Sequence, residues 1–153
     1  MPAFIVHGLI GYLVYGKMGF YLGILPDIIG FSYYFLRAFI YYLFGKEKLV
    51  KELLDQKSPD AGLQYMNNLD WIIYNISHSV FFWGLIYLIF KKKYILSAIL
   101  SIILDIFLHS NEGWPGPTFL YPFSNYRFDG ISWNSRKGMF ITLFVILFYL
   151  SRK

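Results

Sequence analysis

The stretch IIYNISHSVFFWGLIYLIF, residues 72–90, holds one histidine and no formally charged side chain. A helix that crosses a bilayer needs ~20 mostly apolar residues, within a range of about 17–25, and this segment has that length. The basic triplet Lys91-Lys92-Lys93 follows it, and then a second apolar run, Tyr94–Leu108. A third run, Met139–Leu150, ends against Arg152-Lys153. The last two runs are short and need polar extensions to cross. Composition agrees with the pattern: 57% of residues are hydrophobic, 22% aromatic and only 15% charged, against roughly a quarter charged in soluble domains. The expected fold class is therefore all-α, a polytopic membrane helical bundle forming a single domain over residues 1–153.

Basic loops stay on the cytoplasmic side. That rule puts Lys91–Lys93 and the C-terminus in the cytoplasm and the polar segment Ser110–Lys137 on the opposite face. The net charge of +5 is explained by this topology and does not call for nucleic acid as a partner. Met1-Pro2-Ala3-Phe4 carries no basic start, so no removable signal peptide is expected. The chain has no cysteine, which excludes disulfides and thiolate metal sites.

The N-terminal third is open to two readings. Residues 3–26 are apolar but interrupted by Gly16-Lys17-Met18-Gly19. They form either one spanning helix with a lysine buried at its centre, at a cost of a few kcal/mol, or a hairpin of two half-length helices with Lys17 at the interface. The flanking glycines favour the hairpin. Residues 28–45 are rich in Tyr and Phe and contain Arg37; they either span or lie at headgroup level. An amphipathic, interfacial insertion is expected over about 46–70, with Leu49, Leu53 and Leu54 on one face and Glu47 and Lys51 at helix-supporting spacing. Gln56–Asp60, with its Ser58-Pro59, breaks that helix. The loop of about 110–137 combines turn formers (Gly113, Pro115, Gly116, Pro117, Pro122, Gly130) with Trp114, Phe119, Tyr121, Phe123, Tyr126, Phe128 and Trp133. A loop this aromatic is expected to be ordered and to fold back on the bundle as a lid.

All three histidines of the chain, His7, His78 and His109, lie in or beside apolar segments, as do Asp27, Asp105 and, just past one, Glu112. Ionisable groups at such depth are expensive and mark functional sites by default. Their heights match. His78 lies 13 residues before Lys91 and Asp105 lies 12 after Lys93, so at ~1.5 Å per residue both sit roughly 18–20 Å above one basic loop. In the hairpin reading, His7 and Asp27 each lie 10 residues from Lys17. Asp105 shares a helical face with Ser101 and His109 at i,i+4 spacing, and Asn75 is one turn from His78. Four segments can thus bring His7, Asp27, His78, Asp105 and His109 to one level.

Imidazole and carboxylate donors without thiolate suit zinc, with manganese and iron also compatible. Three protein ligands plus water make a catalytic zinc site, and five or more allow two metals. A bound water of lowered pKa would then attack an ester or phosphoester, with Asp105 and His78 the leading catalytic residues. The competing readings use the same groups. Asp27, after Leu25-Pro26, caps a following helix; Asp105 pairs with Arg37; or the cluster serves as a proton or ion pathway without metal. Arg127 matches a phosphate group or pairs with Asp129 or lipid headgroups.

His7-Gly8, Leu25-Pro26-Asp27, His78-Ser79 and an Asp-bearing helix that runs into a Pro-aromatic loop resemble the YdjM-like family of bacterial and archaeal inner-membrane proteins. The run ILDIFLHS (residues 103–110), with PTFLYPFS (117–124) and NYRFDGISW (125–133), is especially similar to one branch of it. The resemblance covers roughly residues 5–30 and 70–135. It implies a metal-dependent hydrolase of the prokaryotic cytoplasmic membrane, acting on a small or lipid-linked ester or phosphoester. Membrane lipid is its partner, and His7, Asp27, His78, Asp105 and His109 are its metal-site residues. Ser79 and Arg127 would steady the substrate. The ligand order is also similar to that of all-helical, zinc-dependent phospholipase C enzymes. One departure stands out: family members commonly carry histidine four residues before the helical Asp, where this chain has Ser101. His109 or Glu112 would then substitute as ligand, or the chain would hold fewer metals or lack activity.

Overall fold

A glycine shapes the N-terminal third. In the computed structural model, which describes residues 3–54, 66–110, 116–132 and 135–151, helix α1 (Ala3–Leu43) is interrupted at Gly16, with φ 67° and ψ −154°. Glycine takes this conformation without the steric cost any Cβ would bring. The chain doubles back there. A Cβ built on Gly11 would lie 2.1 Å from the Gly19 carbonyl oxygen, whereas a straight helix would hold these residues ~12 Å apart. Helix α1 is therefore a hairpin of two limbs, residues 3–15 and 17–43, with Lys17 in the turn.

The second limb passes through Pro26 without ending. Proline removes one N–H from the ladder, yet the helix continues to Leu43. Asp27 is thus an interior helical residue and not a cap, and residues 28–43 belong to the same limb. Among the described residues, Phe4–Leu43 passes a length-and-composition test for a membrane-crossing helix when taken as one piece, although the chain folds back at Gly16. The pair α3 (Asn68–Ser77) and α4 (Val80–Phe90), bent by 49° at a short break, passes the same test together.

Helix α2 (Glu47–Leu54) follows a turn at Gly45. Its only buried residue is Leu53, which packs with Tyr34, Ala38, Met66 and Tyr74 and whose carbonyl accepts the Tyr34 hydroxyl. Leu49 and Leu54 remain exposed, so the expected apolar face narrows to one anchor. The i,i+4 ion pair on this helix is Lys48–Glu52, at 4.0 Å. With Lys48 nearly fully exposed it contributes little. The breaker segment, residues 56–60, lies outside the described residues.

Helix α3 starts on a capping box between Asn67 and Asp70. Helix α4 ends at Lys91 in the left-handed conformation, and a 3-10 turn (Lys93–Ile95) leads into α5 (Leu96–Leu108). Helix α5 packs against both limbs of α1 and against α4. Ala98 and Ile102 are fully buried with Trp83 and Ile95, and Leu22, Leu25 and Ile29 pack on that core. Ser101 is buried here; its hydroxyl donates to the Gly23 carbonyl at 2.8 Å and lies 2.9 Å from that of Ser97. Helix α6 (Arg136–Leu150) closes the chain. Many outward-facing side chains are apolar: Phe39, Phe44, Leu88, Phe90, Phe140 and Phe144 are each more than half exposed.

Candidate metal centre

Three elements converge on one buried polar cluster. The α1 hairpin supplies His7 from its first limb and Asp27 from its second, the α3–α4 break supplies His78, and α5 supplies Asp105. His7 Nδ1 lies 3.0 Å from Asp27 Oδ2 and His7 Nε2 lies 3.2 Å from Asp105 Oδ1. His78 Nε2 lies 3.3 Å from Asp27 Oδ1 and 3.8 Å from Asp105 Oδ2. His7, His78 and Asp105 are buried, and the Asp27 side chain is 19% exposed. That residue is the cluster's partial opening to the surroundings.

The orientation of His78 decides what the cluster can do. The Ser77 hydroxyl donates to the Tyr74 carbonyl at 2.9 Å, and His78 Nδ1 lies 3.0 Å from both the Ser77 oxygen and that carbonyl. Both neighbours accept at this position, so Nδ1 carries the proton. In a neutral ring Nε2 would then be a lone pair facing two carboxylates, and in a protonated ring a donor to them. A lone pair among carboxylate oxygens is repulsive unless a proton or a cation sits between them. A backbone acceptor on one ring nitrogen with the other aimed at the ligand group is the usual outer-shell arrangement of metal-binding histidine. Tyr74 also stacks on the ring, centroids 4.2 Å apart, which limits its rotation.

The remaining candidates sit around this core. The His109 Nδ1 donates to the Asp105 carbonyl at 2.9 Å and is 3.5 Å from Asp105 Oδ1. His109 therefore flanks the cluster and touches it only through Asp105. Glu112 lies outside the described residues. The Ser79 hydroxyl, buried, donates to the Tyr121 carbonyl at 2.6 Å, so its proton is already committed within the protein. The Arg127 guanidinium lies over the Trp71 ring, 5.0 Å from its centroid. Arg37, expected in one reading to partner Asp105, instead pairs with the buried Asp70, because the second limb carries it ten residues beyond Asp27. Ser101 bonds helix to helix, one turn below Asp105.

The donor set fits a divalent ion. One ligand atom from each of His7, Asp27 and Asp105 falls within 4.8 Å of the others. Ligands ~2.1 Å from a tetrahedral ion stand roughly 3.4 Å apart, and the cluster's nitrogen–oxygen separations of 3.2, 3.3 and 3.8 Å bracket that value. The His7, Asp27 and Asp105 group offers one nitrogen and two oxygen donors, with His78 Nε2 beside it at 3.3 Å from Asp27 and 3.8 Å from Asp105. Such donors suit zinc, manganese or iron, and the geometry alone does not choose among them.

Two features were not anticipated from sequence. Tyr74 and Ser77, which orient His78, sit four and one residues before it; the i−4 spacing was the available signal. The close limb contact was also written in the Gly19-x-x-x-Gly23 spacing, which lets helix backbones approach. Comparison with known proteins finds no matching family model, no similar curated protein and no similar solved structure. The YdjM-like resemblance thus rests on its motifs alone.

Proposed function

We propose that the chain is an integral-membrane, metal-dependent hydrolase whose centre is His7, Asp27, His78 and Asp105, with His109 flanking it. The observation that carries this reading is the convergence of His7 and His78 on the carboxylates of Asp27 and Asp105, at 3.0–3.8 Å, in a largely buried cluster. A divalent ion bound there supplies Lewis acidity and activates water near neutral pH. The chain's own groups do the rest: Asp27 and Asp105 hold opposite sides of the cluster, and His78 is locked by Tyr74 and Ser77. Arg127, poised on Trp71, is the cation for a phosphoryl or headgroup oxygen. An ester or phosphoester, small or lipid-linked, is the substrate class that a metal-activated water would attack. The apolar outer surface supports a lipid-facing bundle. Ser97 lies beside Gly11 near the Gly16 turn, which supports placing Lys17 and Lys91–Lys93 at one interface, taken as cytoplasmic.

Elemental analysis of detergent-purified protein tests the centre: one or two equivalents of zinc, manganese or iron are expected, and Asp105→Asn or His78→Ala should lose them. A well-folded protein that stays metal-free after growth in metal-rich medium would sink the reading. Metal-dependent release of phosphate or alcohol from phospholipid and simple ester substrates tests the reaction.

A second reading has an observation of its own. His7 touches a different carboxylate through each ring nitrogen, so protons alone can balance the cluster. The protein would then be a proton or ion pathway, or an assembly factor. Flux into proteoliposomes that depends on Asp27 or Asp105, in metal-free protein, would favour it.

A further inference from the structure

The break between α3 and α4 leaves ladder groups without helical partners, and the aromatic segment takes part in supplying them. In an unbroken helix the Val80 N–H would bond the Ile76 carbonyl and the Ser77 carbonyl would accept from Phe81. Instead the Val80 N–H donates to the Phe119 carbonyl at 3.0 Å, and the Ser77 carbonyl accepts Trp83 Nε1 at 2.7 Å. Ser79 caps α4, accepting from the Phe82 N–H at 3.4 Å, while its own hydroxyl donates to the Tyr121 carbonyl at 2.6 Å. The break that presents His78 is thus tied at two consecutive residues to loop residues 119 and 121.

The same segment is fastened to α5 at its far end. The Gly130 N–H donates to the His109 carbonyl at 2.8 Å, and the Ile131 N–H to the Phe107 carbonyl at 2.9 Å. One stretch of chain therefore spans the element carrying His78 and the element carrying Asp105 and His109. Among the described residues, the ligand candidate that α3 and α4 bring to the cluster is His78, next to Ser79, so a shift of that break would carry His78 Nε2 relative to the carboxylates. Ser79 itself touches none of the four ligand candidates in the bonds given above.

We infer that the segment from residue 116 to 131 is a clamp that sets the spacing between His78 and Asp105, and that Ser79 is the positioning residue through which it acts. This rests on the metal-centre reading. It also gives Ser79 a role different from contacting substrate. Outer-shell partners of this kind change metal affinity by ~10–100-fold when removed.

The test is titration of metal-stripped, detergent-purified full-length protein with Zn2+, alongside the absorption spectrum of the Co2+-loaded form. Ser79→Ala should bind Zn2+ ~10–100-fold more weakly than the parent and alter the Co2+ ligand-field bands, while the metal-free protein still folds with a melting midpoint lowered only as far as a lost helix cap requires. Ser79→Thr, which keeps the hydroxyl, should restore both. Trp83→Phe, which keeps an aromatic side chain but loses the Nε1 bond to the Ser77 carbonyl, gives a second, independent weakening. Parent-like affinity and spectra in both Ser79→Ala and Trp83→Phe would overturn the clamp while leaving the metal centre standing. A Ser79→Ala protein that fails to fold without metal would make Ser79 a fold residue, overturning its positioning role. A parent that binds no Zn2+ or Co2+ would defeat the metal reading and this inference with it.

Discussion

Two buried polar clusters lie on the same helices and differ in kind. At one, Arg37 meets Asp70, which also closes the capping box of α3. At the other, His7 and His78 meet Asp27 and Asp105. Guanidinium is always charged, so the Arg37–Asp70 pair balances itself. Its position, between the second limb and the start of α3, makes it a tie between elements. The histidine cluster has no such fixed balance. Two carboxylates face two imidazoles, and the missing positive charge must come from protons or from a metal. The lesson is that burial and pairing alone do not mark a functional site. A cluster whose charge balance is left open is the better candidate.

That contrast can be broken in order of expected effect. Asp105→Asn should abolish stoichiometric metal binding while the helical circular dichroism persists. Arg37→Met should do the reverse, costing about 3–5 kcal/mol of stability because Asp70 is left buried without its cation, with metal content unchanged. If Arg37→Met loses metal as readily as Asp105→Asn does, the two clusters are one system and the contrast fails.

Gly11→Ala should fall between them. Its Cβ would meet the Gly19 carbonyl oxygen at 2.1 Å, so the limbs must separate and carry His7 from Asp27. Metal affinity should drop with it, whereas the Arg37–Asp70 end of the molecule, far from the turn, should keep its hydrogen-exchange protection. Saturating Zn2+, at 100 times its dissociation constant, should raise stability by about 2.7 kcal/mol, and chelator should remove the gain. Because imidazole must shed protons to bind metal, that gain should shrink as pH falls. Arg127→Ala is the smallest change: losing the contact with Trp71 should cost about 0.5–1 kcal/mol without touching metal content, while weakening any phosphate-bearing substrate.

Much of the candidate site was legible before any coordinates. Counting residues along the helices predicts His7, Asp27, His78, Asp105 and His109 at one level; the structure brings the first four side chains together and leaves His109 flanking them beside Asp105. The glycines around Lys17 pointed to the hairpin for the right physical reason, since Gly16 adopts a positive φ. The described part of the aromatic segment, 116–132, does fold back, hydrogen-bonded to α4 and to the end of α5; Trp114 and Trp133 lie outside the described residues. Less legible were the partners. Asp27 looked like a cap because proline precedes it, but a limb packed on both sides tolerates one missing N–H. Leu49 and Leu54 looked like anchors by spacing, yet only Leu53 meets Tyr34.

What the sequence determined by itself was height along each helix, because a rise of ~1.5 Å per residue holds wherever the helix lies. It also determined the residue types that cannot rest in an apolar setting without a reason. Rotation about each axis, and therefore who faces whom, was left to tertiary packing. Only the packed structure sends Arg37 to Asp70 instead of Asp105, consumes the Ser79 proton on Tyr121, and turns His78 so that Nε2 meets the carboxylates. Those choices follow from glycine faces, a 49° break and a loop that ties it, none of which a periodicity can express.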